Sequence, residues 1–168
     1  MQNGGYMIKA GNLIFVRDET FLSWIIRTIT KSYYNHIAIL ISETEVLEAL
    51  PNGVFITPLS SYEDREFSHK LEYRIFEVDG MTKEQVYKVI EFSKKEVGKK
   101  YDFLQLVSIY FFYLFGIPKK YEPIDVTEAW ICSELVAEAF EYAGIKFSND
   151  INSDNMTPKD ILNSNLLK

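Results

Sequence analysis

Cysteine is scarce in this chain: there is one, Cys132, among 168 residues. A single thiol excludes an intrachain disulfide and argues against a thiolate zinc site, which draws on several Cys and His ligands. Histidine is nearly as rare, with two residues, His36 and His69. Positive charge is in deficit. Lys and Arg number 18 against 24 Asp and Glu, for a net charge of −6, the wrong sign for a protein whose main partner is nucleic acid. No long hydrophobic run is present either. The most apolar stretch, Phe103 to Ile117, is too short for a confident membrane span and contains Gln105 and Ser108. The opening "MQNGGYMIKAGNLIF" lacks the basic, apolar and small-residue segments of a signal peptide. The expected compartment is the cytoplasm, where a lone thiol stays reduced, with no stable membrane insertion.

What is present suits a packed interior. Hydrophobic residues make up 47% and aromatics 15%, and no repeat or Pro/Gly-rich linker divides the chain, so one domain over residues 1–168 is expected. "GNLIFVRD" reads as a strand and "ETFLSWIIRTITKS" has helical apolar spacing. "HIAILIS", "EVLEAL" and "GVFITPL" read as consecutive strands, "SSYEDREFSH" as a polar, exposed connection, and "KLEYRIFEV" as a strand with Leu71, Tyr73 and Ile75 on one face. "TKEQVYKVIEFSKKEV" is a helix opened by a Thr82–Gln85 capping box. Asp102 reads as the cap of an aromatic helix over 103–115, Thr127 as the cap of the helix carrying Cys132, and Gly144 as the residue that ends it. A short helix follows Pro158. The order predicts an α+β fold: a barrel-like antiparallel sheet of five to six strands, covered by helices.

Within "WICSELVAEAF", Ile131, Leu135, Val136, Ala139, Phe140 and Ala143 form one apolar stripe, with Cys132 at its edge. The inward direction suits a buried filler, since free Cys is among the most buried residue types. The first-turn position suits a nucleophile, because the helix N-terminus stabilises a thiolate. A nucleophilic cysteine needs a base. His36 begins "HIAILIS" and shares a face with Ala38 and Leu40, and small Ala38 would let a helix approach that face closely. His69 lies in a charged connection and reads as a solvated surface residue. An imidazole base is usually oriented by a third group, and Glu48 stands among apolar neighbours in the next strand, where burial demands a partner. The hairpin decides whether it can serve. A two-residue loop at Glu43 and Thr44 sets Glu48 against Ile39, on the wrong face. A three-residue loop at Ser42 to Thr44 sets it against Ala38, diagonal to His36.

"YNHIAIL", "VLEAL", "VGKKYDF" and "CSELVAEAF", in that order, resemble the circularly permuted, papain-like branch of the NlpC/p60 superfamily, the YiiX-like amidases. Histidine precedes cysteine here, as in that branch and in lecithin:retinol acyltransferase-like proteins. The resemblance spans roughly Gly11 to Leu162. It implies a permuted papain-like fold and a cysteine amidase or peptidase with Cys132 as nucleophile, His36 as general base and Glu48 in the third, polar position. It implies no metal or organic cofactor. It also places Tyr101 near the nucleophile, where its hydroxyl can help bind the oxyanion or substrate; the alternative for Tyr101 is a residue packed on the core where a helix begins. "MTPKDIL" resembles the family's closing motif. One departure is the aromatic stretch "FLQLVSIYFFYLF" between Tyr101 and Cys132. As ordinary core it leaves a small peptide or cell-wall fragment as substrate. As a wall of the site it favours a lipid acyl group, making the protein an acyltransferase or thioesterase. A catalytically silent binding module is the third reading.

Overall fold

In the computed structural model the described residues are 8–67, 71–101 and 129–168. The core is a five-stranded, wholly antiparallel sheet in the order β4-β3-β2-β1-β5. Its strands are β1 (Leu13–Asp18), β2 (His36–Leu40), β3 (Glu45–Leu50), β4 (Gly53–Pro58) and β5 (Leu71–Phe76). Helix α1 (Phe21–Thr30) links β1 to β2, and α2 (Ser60–Phe67) links β4 to β5. Then come α3 (Lys83–Lys95), a short parallel pair formed by β6 (Lys100–Tyr101) and β7 (Ala129–Trp130), helix α4 (Cys132–Tyr142), a 3-10 turn over Ser153–Asn155 and α5 (Pro158–Leu162). This is the α+β architecture that the alternation of strand and helix patterns predicts. Among the described residues no helix is long and apolar enough to cross a membrane.

β2 lies inside the sheet and is apolar on both faces, so each face needs a cover. Ile37, Ile39 and Ile41 join Leu13, Phe15 and Leu47 in one cluster, with Cys132, Leu135, Val136, Ala139 and Phe140 of α4 packed on it. Ala38 and Leu40 join Ile14, Val16 and Val46 in a second cluster on the opposite face, under Leu59 and Tyr62. Two expectations are therefore corrected. The cysteine helix covers the Ile37/Ile39 face rather than the Ala38 face, because the branched side chains there fill the groove against its apolar stripe. "SSYEDREF" is helical, because Tyr62 is drawn to 2% exposure in the second cluster despite the polarity of its neighbours.

Local signals fix the helix ends. Thr82 and Gln85 make the capping box of α3, and Thr157 with Asp160 make that of α5. At the end of α4, Gly144 takes φ 78°. Its N–H donates to Glu141 C=O at 2.8 Å, and Ile145 N–H donates to Phe140 C=O at 2.9 Å: the two bonds of a Schellman motif. The start of α4 departs from expectation. Its N-cap is Ile131, not Thr127, since β7 occupies Ala129–Trp130 immediately before it. Thr127 itself, Asp102, His69 and the aromatic stretch 103–115 lie outside the described residues.

Gly53 ties the short β6–β7 pair to the main sheet. It adopts φ +130°, and a Cβ there would stand 2.8 Å from Lys99 C=O. The same carbonyl accepts from Val54 N–H at 2.9 Å, and Gly98 N–H donates to Val54 C=O at 2.9 Å. Gly53→Ala is expected to destabilise the protein by about 2–3 kcal/mol, from backbone strain and overpacking together. The measurement is the urea midpoint; an unchanged midpoint would contradict the close approach.

Candidate functional site

The site begins with the turn between β2 and β3. Ile39 pairs with Leu47 and Leu40 with Val46, and Ile41 N–H donates to Glu45 C=O at 3.0 Å. The loop is thus the three residues Ser42 to Thr44. Continuing the register by one step sets Ala38 against Glu48, which puts Glu48 on the His36 face and diagonal to it. His36 Nε2 lies 3.0 Å from Glu48 Oε2. Both groups are withdrawn from water, with side chains 14% and 5% exposed.

Glu48 has two further partners that sequence reasoning did not anticipate. Thr57 Oγ1, on β4, donates to Glu48 Oε1 at 2.6 Å. The Tyr62 hydroxyl, on α2, donates to Glu48 Oε2. Thr57 was accessible to a register argument. Pairing Leu50 with Gly53 across a two-residue turn sets Glu48 against Phe55, and Thr57 is then the diagonal neighbour on that face. Tyr62 carried no such signal, since its stretch reads as a loop.

Cys132 is the first residue of α4 and is buried. Ile131 has no side-chain oxygen with which to cap the helix, and Glu134 Oε2 accepts from Ile131 N–H at 3.4 Å, so the Cys132 sulfur takes first-turn donors itself. It accepts from the Ser133 N–H and from the Ile37 N–H. The β2–β3 ladder pairs Ile39 and Leu40 but goes no further toward His36, which frees the Ile37 donor for the thiol. The His36 ring also interacts with the sulfur, which lowers Cys132 and raises His36. With Nε2 engaged by Glu48, Nδ1 is the nitrogen left to face the sulfur. Cys132, His36 and Glu48 therefore stand in one row, with the imidazole in the middle.

The electrostatics follow from that order. Burial pulls His36 toward its neutral form, but the hydrogen bonds and negative charges of Cys132 and Glu48 prevail and raise it from 6.5 to about 10. Burial pushes the Cys132 thiol up, while the His36 bond and charge and the two backbone donors bring it below its ordinary 9.0. Burial likewise raises Glu48, but His36, Thr57 and Tyr62 hold it below 4.5. The arrangement favours a thiolate–imidazolium pair beside a carboxylate.

This pair has a distinctive effect on stability. His36, raised to about 10, contributes stability that is fully present below 6.5 and is lost as pH rises through about 10. Cys132, lowered from 9.0, contributes stability that is present above 9.0 and is lost as pH falls. Between 6.5 and 9.0 the two slopes therefore oppose each other, and from 9.0 to about 10 only the folded state keeps the imidazolium proton, so stability falls as pH rises. Glu48 adds a separate loss as pH drops below 4.5. Denaturation across this range, with Cys132→Ala as reference, is expected to give a difference curve that falls between 9.0 and about 10. A difference that keeps rising there would contradict the ion pair.

Tyr101 is placed by its backbone alone. It pairs with Trp130 in the parallel β6–β7 ladder, two residues before Cys132, and its side chain lies outside the described residues. A cavity of about 450 Å³ opens at the other end of α4, between Glu141 and the 145–156 segment, and none of the three aligned residues lines it.

The family model described as the permuted papain-like amidase enzymes, YaeF/YiiX, C92 family, matches residues 7–162. No curated protein matches the chain. Among solved structures, that of the metalloprotein yiiX from Escherichia coli O157:H7 superposes with a TM-score of 0.69, covering 97% of this chain and 96% of that one. The two are 21% identical, so this likeness is one of fold. A match over residues 7–162, on an antiparallel sheet carrying a helix that starts at its only cysteine, means that the chain belongs to the C92 family of permuted papain-like amidases.

Proposed function

We propose that this protein hydrolyses an amide bond through an acyl-enzyme on Cys132. The observation that carries the reading is the row Cys132–His36–Glu48: a sulfur at the start of a helix, lowered by the imidazole beside it, and a carboxylate hydrogen-bonded at 3.0 Å to Nε2 of that imidazole. In this mechanism the Cys132 thiolate attacks the carbonyl carbon. The developing oxyanion is met by a backbone N–H at the start of α4, with the Tyr101 hydroxyl as a second donor. His36, protonated at Nδ1, delivers that proton to the leaving amine and then deprotonates the water that releases the acid. Glu48 holds the imidazole through Nε2 and balances its charge.

A metal centre, as the E. coli neighbour's name says of that protein, does not fit these three side chains. His36 Nε2, one of the two ring nitrogens that could ligate a metal, is taken by Glu48 Oε2 at 3.0 Å, and the Glu48 oxygens are further engaged by Thr57 and Tyr62. Among the described residues no group of three or more His, Cys, Asp or Glu is arranged to hold a metal ion.

The acid and alkaline arms expected of such a pair suggest the test. Purified protein is incubated with a panel of peptidyl and fatty-acyl probes, and the adduct on Cys132 is weighed by mass spectrometry. A peptidyl adduct that turns over and is absent from Cys132→Ala supports the amidase. A fatty-acyl adduct alone would move the protein to the lipid acyltransferase or thioesterase reading. A thiol that titrates as a free cysteine and forms no adduct would make it a binding module.

A further inference from the structure

Glu48 is held more completely than a histidine partner alone requires. It is 5% exposed and is reached by donors from three separate elements. His36 approaches from β2 and shares Oε2 with the Tyr62 hydroxyl from α2, while Thr57 from β4 takes Oε1. A carboxylate bound only by His36 could rotate about its last torsion. With both oxygens engaged, and Oε2 engaged twice, its plane is fixed. The charge is fixed as well. An ionised carboxylate is an acceptor only, so the phenol, the hydroxyl and the imidazole N–H must all donate to it.

The supports are themselves anchored. Tyr62 is 2% exposed, and its ring meets Tyr73 at 6.1 Å between centroids, 66° apart. Tyr62 N–H donates to Leu59 C=O at 2.9 Å, and Leu59 N–H donates to Thr44 C=O at 2.8 Å. Thr44 belongs to the three-residue loop whose length puts Glu48 on the His36 face. One strap thus joins the start of α2 to the turn that sets the register.

We propose that Tyr62 and Thr57 are positioning residues for the reaction: by fixing the plane of the Glu48 carboxylate they hold His36 with its proton on Nε2 and Nδ1 turned to Cys132. The inference rests on the reading of Cys132, His36 and Glu48 given above. Neither residue touches the reacting atoms; both act through Glu48. A residue that merely satisfied a buried acid would leave the thiol indifferent to its loss once folding was intact. A positioning residue would not.

The experiment uses iodoacetamide as probe, because it reads the Cys132 thiolate without knowledge of the natural substrate. Alkylation rate is measured against pH for the intact chain, for Glu48→Gln, and for Tyr62→Phe, Thr57→Val and Thr57→Ser, each checked for folding by circular dichroism. In the unmodified protein the midpoint lies below that of a free thiol. Tyr62→Phe and Thr57→Val each slow alkylation below neutral pH by about threefold to tenfold and raise the midpoint by about half to one pH unit. Thr57→Ser, which keeps the hydroxyl, restores the rate. A depressed midpoint that Glu48→Gln raises but Tyr62→Phe and Thr57→Val leave unmoved overturns this proposal and spares the reading beneath it. An ordinary thiol midpoint in the unmodified protein overturns both. Should Tyr62→Phe fail to fold, the contrast between Thr57→Val and Thr57→Ser decides alone.

Discussion

Cys132→Ser is expected to fold normally and to lose hydrolysis by about three orders of magnitude or more, although a hydroxyl stands where the thiol stood. General acid–base assistance is worth 10²–10⁴-fold, and loss of the nucleophile's activation removes that and more. The reason lies in how His36 is tuned. Cys132 and Glu48 together raise the imidazole to about 10, so at neutral pH it is already protonated and matched to a thiolate. A serine hydroxyl, far less acidic than a thiol, does not give up its proton to that imidazole in the resting state, so no preset ion pair forms. The substitution also removes one of the two anions flanking His36. Its titration should therefore fall from about 10 toward 6.5, held up only by Glu48. Histidine NMR checks this in a simple spectrum, because the chain has two histidines. Retained hydrolysis in the serine variant, or an unmoved His36 titration, would contradict the preset ion pair.

How much of this could be read from the sequence depends on which interactions are local. The caps at Thr82 and Gly144 were legible because their chemistry lies within a few residues. The strands were legible from alternation and β-branched content. The geometry joining Glu48 to His36 reduced to the length of one loop, and the sequence posed that alternative without deciding it. The face of β2 covered by the cysteine helix was not legible. Apolar residues line both sides of that strand, and small Ala38 does not distinguish a close helix from the Leu59–Tyr62 corner that covers it. Helix α2 was missed for a related reason. "SSYEDREF" has a polar composition, and what makes it a helix is tertiary: Tyr62 packed against Tyr73 and bonded to Glu48. The cap of α4 falls at Ile131 because a parallel ladder, formed with Lys100–Tyr101, occupies the two residues before it, and such pairing leaves no mark on the local sequence.

Glu48 should separate charge from shape. Glu48→Leu leaves the His36 N–H, the Tyr62 hydroxyl and the Thr57 hydroxyl aimed at a buried space with no acceptor. Removing one partner of a buried ionic network costs about 3–5 kcal/mol, so this variant is expected to lose that stability and its activity together. Glu48→Gln behaves differently. Its carbonyl can occupy the Oε2 position and keep the bonds from His36 and Tyr62, while its amide faces Thr57, whose hydroxyl can turn to accept. The geometry survives, and stability falls by about 1–2 kcal/mol. The charge does not survive. Without a carboxylate at Nε2 the imidazolium is less stable, the Cys132 thiolate is less populated, and hydrolysis drops by about 10–100-fold. The loss should appear mainly in kcat, with the acid limb of the pH profile moved up, because Glu48 is 5% exposed and acts through His36. Denaturant midpoints and kinetics on the same preparations distinguish the two variants. If Gln and Leu were equally unstable, Glu48 would be a structural acid; if Gln were fully active, the carboxylate charge would have no part in the reaction.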